Sequence, residues 1–270
     1  MKEENIIYFE YSEFKKIKKI GEGRFGVVNR AGTNDNKQVA LKCLIETKSS
    51  RFGEKFIENY VKELKHRCMV SCHNNINSFL GISKDDAGYV MVLEHANNGN
   101  LKDYLKENFN LLQWKNKIQM ALDITCGLNH LHSKDIIHSN LHSNNILLHN
   151  GKFLIADTVA TFKFGRIPKI KDDKKHKPTG NRIEIIGYID PQCYKNINYK
   201  REKKSDIYSL GVLLWEITSG HPPFYNIPQK EDSLCDDIGH KNLREKPIDG
   251  TPLEYQQLYE KCWDGDPGKR

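Results

Sequence analysis

The fourteen residues from Asp135 to Leu148, D-I-I-H-S-N-L-H-S-N-N-I-L-L, constrain this chain more than any other stretch. Two short apolar runs, Ile136-Ile137 and Ile146-Leu147-Leu148, bracket a turn rich in histidine, serine and asparagine. Apolar runs this short, broken by turn residues, predict two β-segments holding a rigid loop. The spacing of His138, Asn140, His142, Asn144 and Asn145 suits side chains that converge on one point rather than coat a surface. A convergent polar loop is what catalysis requires, yet no carboxylate lies between the two runs.

A chain of 270 residues can bury the core of one large domain or of two modest lobes. Its 38% hydrophobic and 29% charged residues are those of an ordinary folded protein, which excludes disorder as the default. The net charge of +7 suits an anionic ligand such as a nucleotide, or an acidic partner, without itself indicating nucleic acid. The start, M-K-E-E-N-I-I-Y, has acids where a signal peptide needs bases, and no apolar run is long enough to span a bilayer. Seven scattered cysteines, an odd number, fit reduced thiols. The expected setting is therefore the cytoplasm or nucleus, without membrane contact. His66, Cys68, Cys72 and His73 cluster, but with no C-x-x-C pair they read as a helix end rather than a zinc site.

Taken in order, residues 1–19 predict a leader pinned onto the first sheet by Tyr8, Phe9, Tyr11 and Phe14. In I-G-E-G-R-F-G-V-V (residues 20–28), Gly21, Gly23 and Gly26 fit G-x-G-x-x-G, a turn whose backbone can approach phosphate oxygens. A dinucleotide fold needs a helix directly after the third glycine. Here Val27-Val28-Asn29-Arg30 continues a strand, so the glycines cap a hairpin. After the turn Gly32–Lys37, V-A-L-K places Lys42 in an apolar strand, where burial is costly without an anion. A helix is expected over Phe52–Val70, with Phe56, Tyr60, Leu64 and Arg67 on one face and Glu63, ahead of Glu58, as partner for Lys42. Strands are expected at Ile76–Ile82 and Tyr89–Leu93, and the polar connector Glu94–Asn100 marks a lobe boundary. Helices follow at Leu101–Lys106 and Trp114–Ser133, the latter with a core stripe of Ile118, Leu122, Ile124, Leu128 and Leu131. Beyond the central loop, Phe153–Ala156 is a strand ending at Asp157, and residues 161–182 form a basic, solvated loop. Ser205–Ser219 is an apolar core helix stopped by Pro222-Pro223, with weaker helices to residue 263.

In this order and spacing, the stretches resemble a eukaryotic protein kinase domain over nearly the whole chain. The matches run from the glycine loop, V-A-L-K and Glu63 through the connector, the loop His138–Asn145 and Asp157. They continue to I-D-P-Q (189–192), S-D-I-Y-S-L-G-V (205–212) and C-W-D-G-D-P-G-K-R at the end. H-S-N-L-H-S-N-N-I-L is most similar to the H-R-D-L-H-S-x-N-I-L loops of tyrosine-kinase-like serine/threonine kinases. The resemblance implies an α+β, bilobal fold. Residues 1–93 would form a small lobe of antiparallel sheet plus one helix, 94–100 a hinge, and 101–270 a larger, mainly helical lobe. The family's last helix would be missing after Arg270. It also implies ATP and Mg²⁺ as cofactors. Gly21, Glu22, Gly23 and Gly26 would cover the phosphates, Lys42 held by Glu63 would contact them, and Asn145 and Asp157 would hold the metal. Val28, Ala40 and Leu147 would sandwich adenine, Leu93 would guard the back of its pocket, and the Glu94–Ala96 backbone would take its hydrogen bonds.

The departures from the family fall on the transfer side. Asn140 stands where the family has the aspartate that accepts the substrate hydroxyl's proton, and an amide holds no proton near neutral pH. Ser139 replaces the arginine that pairs with a phosphorylated activation loop, and His142 replaces a lysine that reaches the γ-phosphate in many serine/threonine kinases, although histidine also stands there in the related H-S variant. Thr158 and Val159 replace the Phe-Gly of Asp-Phe-Gly, and Gln192 replaces a glutamate that would pair with Arg270, leaving at best a neutral hydrogen bond there. Together they imply an ATP-binding pseudokinase, a scaffold or allosteric partner for another protein, as monomer or kinase-domain dimer and without a nucleic-acid role. The alternative is a slow serine/threonine kinase acting on protein hydroxyls.

Overall fold

The computed structural model describes residues 6–23, 26–43, 64–86, 88–157, 185–226 and 230–270. The protein is α+β: an antiparallel sheet forms one lobe and a mainly helical lobe follows it. The sheet has five strands: β1 (Lys15–Gly23), β2 (Gly26–Gly32), β3 (Gln38–Cys43), β4 (Phe79–Asp85) and β5 (Gly88–Glu94). Their spatial order is β1-β2-β3-β5-β4. Residues 64–70 are helical (α1).

Strand alternation decides which side chains reach the cleft. Val39 and Leu41 of β3 join Val90 and Val92 of β5, with Phe14 and Ala31, on one face. Ala40, Met91 and Leu93 join Leu64 of α1 on the other. Lys42 follows the parity of Ala40, so it points toward α1 and the helical lobe. A one-residue slip would exchange the faces and send Lys42 to the outer side. Gly26 opens β2 at φ 144°, a backbone conformation that favours glycine. The leader lies along the β4 edge, where Phe9 N–H donates to Ile82 O (2.9 Å) and Ile82 N–H to Ile7 O (2.9 Å). Phe14 is buried and Phe9 and Tyr11 pack beside it, whereas Tyr8, expected as an anchor, is half exposed.

The strand expected from Ile76 starts only at Phe79. The preceding residues belong to the other lobe. Asn77 N–H donates to Ile155 O (2.9 Å), Ile155 N–H to Asn75 O (2.8 Å), and Ile76 sits in the helical-lobe core. The connector after β5 is clasped to that lobe as well, through Asn98 N–H to Leu148 O (3.1 Å) and Leu148 N–H to Gly99 O (2.9 Å).

The helical lobe contains α2 (Leu101–Asn108), α3 (Trp114–Ser133), the hairpin β6 (Ile146–His149) and β7 (Lys152–Ile155), a one-turn α4 (Gln192–Lys195), α5 (Lys203–Ser219), α6 (Glu231–His240) and α7 (Leu253–Cys262). α3 packs against β7 and α5, and α7 packs against α5. Of the expected stripe on α3, Ile124, Leu128 and Leu131 are buried, but Ile118 and Leu122 are 45% and 52% exposed. The stripe that faces the core is set by its neighbours and runs through Met120, Ala121, Ile124, Gly127, Leu128 and Leu131. α5 is buried almost throughout and ends at Gly220, φ 79°, just before Pro222-Pro223. Gly211 of α5 allows α7 to approach closely, since a Cβ there would lie 2.8 Å from Cys262 Cβ and 3.0 Å from Tyr259 O.

Arg270 does form a buried ion pair, contrary to the expectation drawn from Gln192. Its partner is Asp190, two residues earlier, and Gln192 instead donates through Nε2 to Gly265 O at 2.8 Å. His73, expected at a helix end, stacks on His130 with 4.5 Å between ring centres. No metal-ligating cluster forms among the described residues, and none of their helices is long and apolar enough to cross a membrane. The basic tract 161–182 lies outside them.

Candidate active site

α3 ends at Ser133, and the chain reverses at Asp135, φ 56°, where Ile136 N–H donates back to Leu131 O (3.0 Å). The β-segment expected at Ile136-Ile137 does not form. The N–H groups of His138 and Ser139 go instead to the Asp206 carboxylate on α5, at 2.8 Å to Oδ2 and 2.8 Å to Oδ1. Asp206 Oδ2 also lies 2.8 Å from His132 Nε2, and Arg201 donates to the Ser139 carbonyl. These bonds hold Ser139 at φ 64°, a left-handed conformation that costs a non-glycine residue about 1–2 kcal/mol. Only the second apolar run is a strand, β6.

The five polar side chains of the loop do not all converge. His138 is fully buried with Nε2 2.9 Å from Ala156 O, and its Nδ1 accepts from Asn140 N–H at 3.2 Å. That network assigns the proton to Nε2, and burial lowers the imidazole's pKa, so the ring is neutral at pH 7. His142 is also turned inward. Its Nε2 lies 3.1 Å from the Asn145 amide, and burial pulls its pKa to about 4. A neutral, buried His142 brings no positive charge to a phosphate. Asn144 faces solvent, which leaves Asn140 and Asn145 at the cleft. Asn145 Nδ2 donates to Asn140 O at 2.9 Å, and Ala156 N–H donates to Asn145 O at 2.8 Å, so the loop and the segment entering Asp157 form one unit.

Lys42 is buried and donates to Asp157 Oδ1, joining the sheet lobe to the end of β7. The need for an anion read from the sequence is thus met by Asp157. Glu63, the expected partner, lies outside the described residues, as do Thr158 and Val159. Arg67 of α1 also reaches Asp157, with Nη2 3.6 Å from Oδ1. Burial alone would raise the Asp157 carboxyl, but the adjacent Lys42 and Arg67 hold it down to about 2. Asp157 adopts φ 59°, a further strained residue at the cleft.

Cross-strand register places the glycine hairpin against the lysine: Gly21 pairs with Val28, Val28 with Lys42, and Lys42 with Met91. Gly23 and Gly26 face each other at the hairpin mouth. Glu22 forms an exposed ion pair with Lys19. Ala40 pairs with Leu93 and clusters with Val28, giving an apolar ceiling. In β6, Ile146 and Leu148 are buried, and Leu147 between them is half-buried on the opposite face. Glu94 N–H is taken by Ser78 O (2.9 Å), and its carboxylate accepts from Ser78 Oγ (2.9 Å); Ala96 follows, half-buried, in the connector.

The two residues expected to hold a magnesium ion both offer oxygen ligands. Asn145 is held by its amide nitrogen, an orientation that leaves its carbonyl oxygen as the ligand. Asp157 is an anionic carboxylate whose Oδ1 meets Lys42 and Arg67. A hard divalent cation takes oxygen ligands, and these two residues are the pair that would hold it beside the phosphates.

Two residues outside the expected site shape it, and a third braces the helical lobe. Asp206, in the S-D-I-Y motif, carried a signal: a carboxylate opening an apolar helix must find donors. Arg67 carried one too, as a charge on the same face as Leu64. Asp190 carried none, because its partner lies 80 residues away.

The protein tyrosine and serine/threonine kinase family model matches residues 14–270. The tyrosine-protein kinase csk-1 of Caenorhabditis elegans is 31% identical over 246 residues, covering 90% of this chain and 42% of that protein. The serine/threonine-protein kinase VIK of Arabidopsis thaliana is 30% identical over 264 residues, covering 96% of this chain and 57% of that protein. A putative serine/threonine-protein kinase/receptor, R826, of Acanthamoeba polyphaga mimivirus is 30% identical over 265 residues, 15% of its length. The chain thus spans little more than half, or less, of these relatives. With the sheet, the clasped connector and the loop assembled as described, the chain belongs to the protein tyrosine and serine/threonine kinase family.

Proposed function

We propose that this chain is a kinase-fold domain that binds ATP and transfers phosphate poorly or not at all. One observation carries this reading: the loop is braced at Asn140, through its N–H to His138 and its carbonyl to Asn145, while its side chain is an amide. Losing a general base costs about 10²–10⁴ in rate. The apolar ceiling of Val28, Ala40 and Leu93, the register of Gly21 over Lys42, and the buried Lys42 ammonium support the nucleotide part. Adenine would lie between Val28, Ala40 and Leu147, with hydrogen bonds to the Glu94–Ala96 backbone. The phosphates would lie under Gly21, Gly23 and Gly26 near Lys42.

A slow protein kinase is the second reading. The same braced frame favours it, because phosphoryl transfer rests mainly on positioning and charge stabilisation. Likeness to the relatives named above makes protein hydroxyls the acceptor class, serine or threonine by the form of the loop. One experiment separates the readings: radiolabelled transfer to itself and to generic substrates by wild type, Asn140→Asp and Lys42→Met. Wild type matching Lys42→Met, with a gain of about 10²-fold or more in Asn140→Asp, is expected. Transfer by wild type well above Lys42→Met, with no gain in Asn140→Asp, would overturn the impaired reading. A thermal shift with ATP tests binding separately.

A further inference from the structure

The outermost strand of the sheet, β1, carries Lys15, Lys16, Lys18 and Lys19, with Ile17 between them and Ile20 after them. All six are exposed, the two isoleucines at 41% and 49%. Lysines on an edge strand keep it from pairing with other chains, and Lys19 is answered by Glu22. Edge protection does not account for the residue facing Lys18. That residue is Arg30 of β2, directly opposite in the antiparallel register and also exposed. Residues so paired lie about 4.5–5.5 Å apart at Cα, and like charges there destabilise a sheet. Among the described residues, neither Lys18 nor Arg30 joins a hydrogen bond or an ion pair.

The register also fixes where the two cations point. Arg30 pairs with Ala40, and Ala40 with Leu93, two residues of the apolar ceiling. Side chains directly opposite project from the same face, so Arg30 and Lys18 continue the ceiling outward to the mouth of the cleft. Half-buried His95 of the connector lies near them: burial lowers its pKa, and the charges of Arg30 and His149 lower it further. The hairpin mouth at Gly23 and Gly26, where phosphates are proposed, lies further along the same strands. An anion that relieves the Lys18–Arg30 repulsion therefore enters from outside the cleft.

We propose that the cleft mouth around Lys18 and Arg30 is a docking surface for an acidic segment of a protein partner. Ile17 and Ile20 offer such a segment apolar contacts beside the charges. Residues 15–22 and 26–32 include no aromatic ring on which a nucleic-acid base could stack. A flat bilayer does not follow two cations that face into a cleft, whereas a peptide does. Register shifts interrupt β1 between Lys15 and Lys18 and between Lys19 and Gly21, so side chains rather than a continuous backbone ladder meet the partner. This inference goes beyond the nucleotide reading and stands independently of it.

The test is fluorescence anisotropy of a labelled peptide of repeated Glu-Glu-Leu with wild type, Lys18→Glu, Arg30→Gln and Lys115→Glu. Single-stranded RNA and phosphatidylserine vesicles are measured in parallel. Lys115 is exposed on α3, and its reversal changes the net charge as much as Lys18→Glu does. Wild type and Lys115→Glu should bind the peptide within about threefold of each other. Lys18→Glu and Arg30→Gln should each bind at least about tenfold more weakly, or about 1.4 kcal/mol. Lys18→Glu sets a carboxylate against Arg30, so it should also raise the thermal midpoint, which shows that the variant folds. A midpoint that does not rise would overturn the repulsion on which the proposal rests. No peptide binding by wild type, or an equal loss in Lys115→Glu, would overturn the docking surface. RNA or vesicles bound more tightly than the peptide, with the same loss in Lys18→Glu, would overturn the acidic segment in favour of that occupant. None of these outcomes bears on ATP binding, which the thermal shift measures separately.

Discussion

Asp190 and Arg270 form a two-pronged buried ion pair, Nη1 to Oδ2 at 2.8 Å and Nη2 to Oδ1 at 3.0 Å, with both side chains fully enclosed. The guanidinium also lies 5.1 Å from the ring centre of Tyr208 in α5 and donates to Lys204 O at 3.0 Å. It therefore ties the segment before α4 to the start of α5 and the end of the chain. The carboxylate expected at position 192 is supplied from position 190, and the fork is fully engaged.

Removing one partner of a buried pair leaves an uncompensated charge and costs about 3–5 kcal/mol. Asp190→Asn should lower the thermal midpoint by about 10 °C, taking roughly 2–4 °C per kcal/mol. Gln192→Glu, which restores the family's usual residue, should not stabilise. It removes the amide donor to Gly265 O and brings a second carboxylate to a fork already filled, at a cost of about 1 kcal/mol or more. Thermal denaturation of the two variants checks both statements.

The same pair sets a pH dependence. Burial works to raise the Asp190 carboxyl, but the hydrogen bonds from Arg270 and the Gln192 N–H win, and its pKa is lowered. A carboxylate with a depressed folded-state pKa contributes stability above its unfolded-state pKa and loses it as pH falls through the folded value. Stability should therefore decline from about pH 4 downward. Asp157, held to about 2, adds to the same decline. Denaturant midpoints measured from pH 6 to pH 2 should show a shallower acid slope in Asp190→Asn than in wild type.

Asp206 braces the central loop through two backbone N–H groups. Asn at this position can accept only one of them and turns a donor toward the other. Asp206→Asn should cost about 1–3 kcal/mol. It should also raise hydrogen exchange at the amides of His138 and Ser139 before exchange rises in α5. Unchanged exchange at those two amides would contradict the bracing role.

The approach of α7 to α5 depends on Gly211. Its added Cβ would meet Cys262 Cβ at 2.8 Å and the Trp263 backbone nitrogen at 2.9 Å, and backbone yields less than a flexible side chain. Gly211→Ala should destabilise by about 1–3 kcal/mol despite alanine's better helix propensity. Thermal denaturation of this variant gives the measure.

The elements legible in the sequence were those with local causes. Trp114–Ser133 is helical over the whole range that its pattern indicates, and the glycine hairpin continues as a strand because β-branched residues follow it. The apolar run at 205–219 had to be buried wherever it packed. Lys42 required an anion because it sits among apolar neighbours in a strand buried on both faces. Ile136-Ile137 misled, since short apolar runs look alike whether their N–H groups meet a ladder or, as at the adjacent His138, a carboxylate. Ile118 and Leu122 misled because helical period alone does not say which face a neighbour covers.

By itself, the sequence determined the parts: the strands, the long helices, the apolar ceiling and the amide at position 140, each set by residue type and short-range spacing. The tertiary structure decided the pairings: Arg67 and Lys42 on Asp157, Asp206 under the loop, and Asp190 on Arg270. Charged groups are free to choose partners across any chain separation. Which partner a buried charge finds depends on where packing brings the backbone, and no local pattern encodes that.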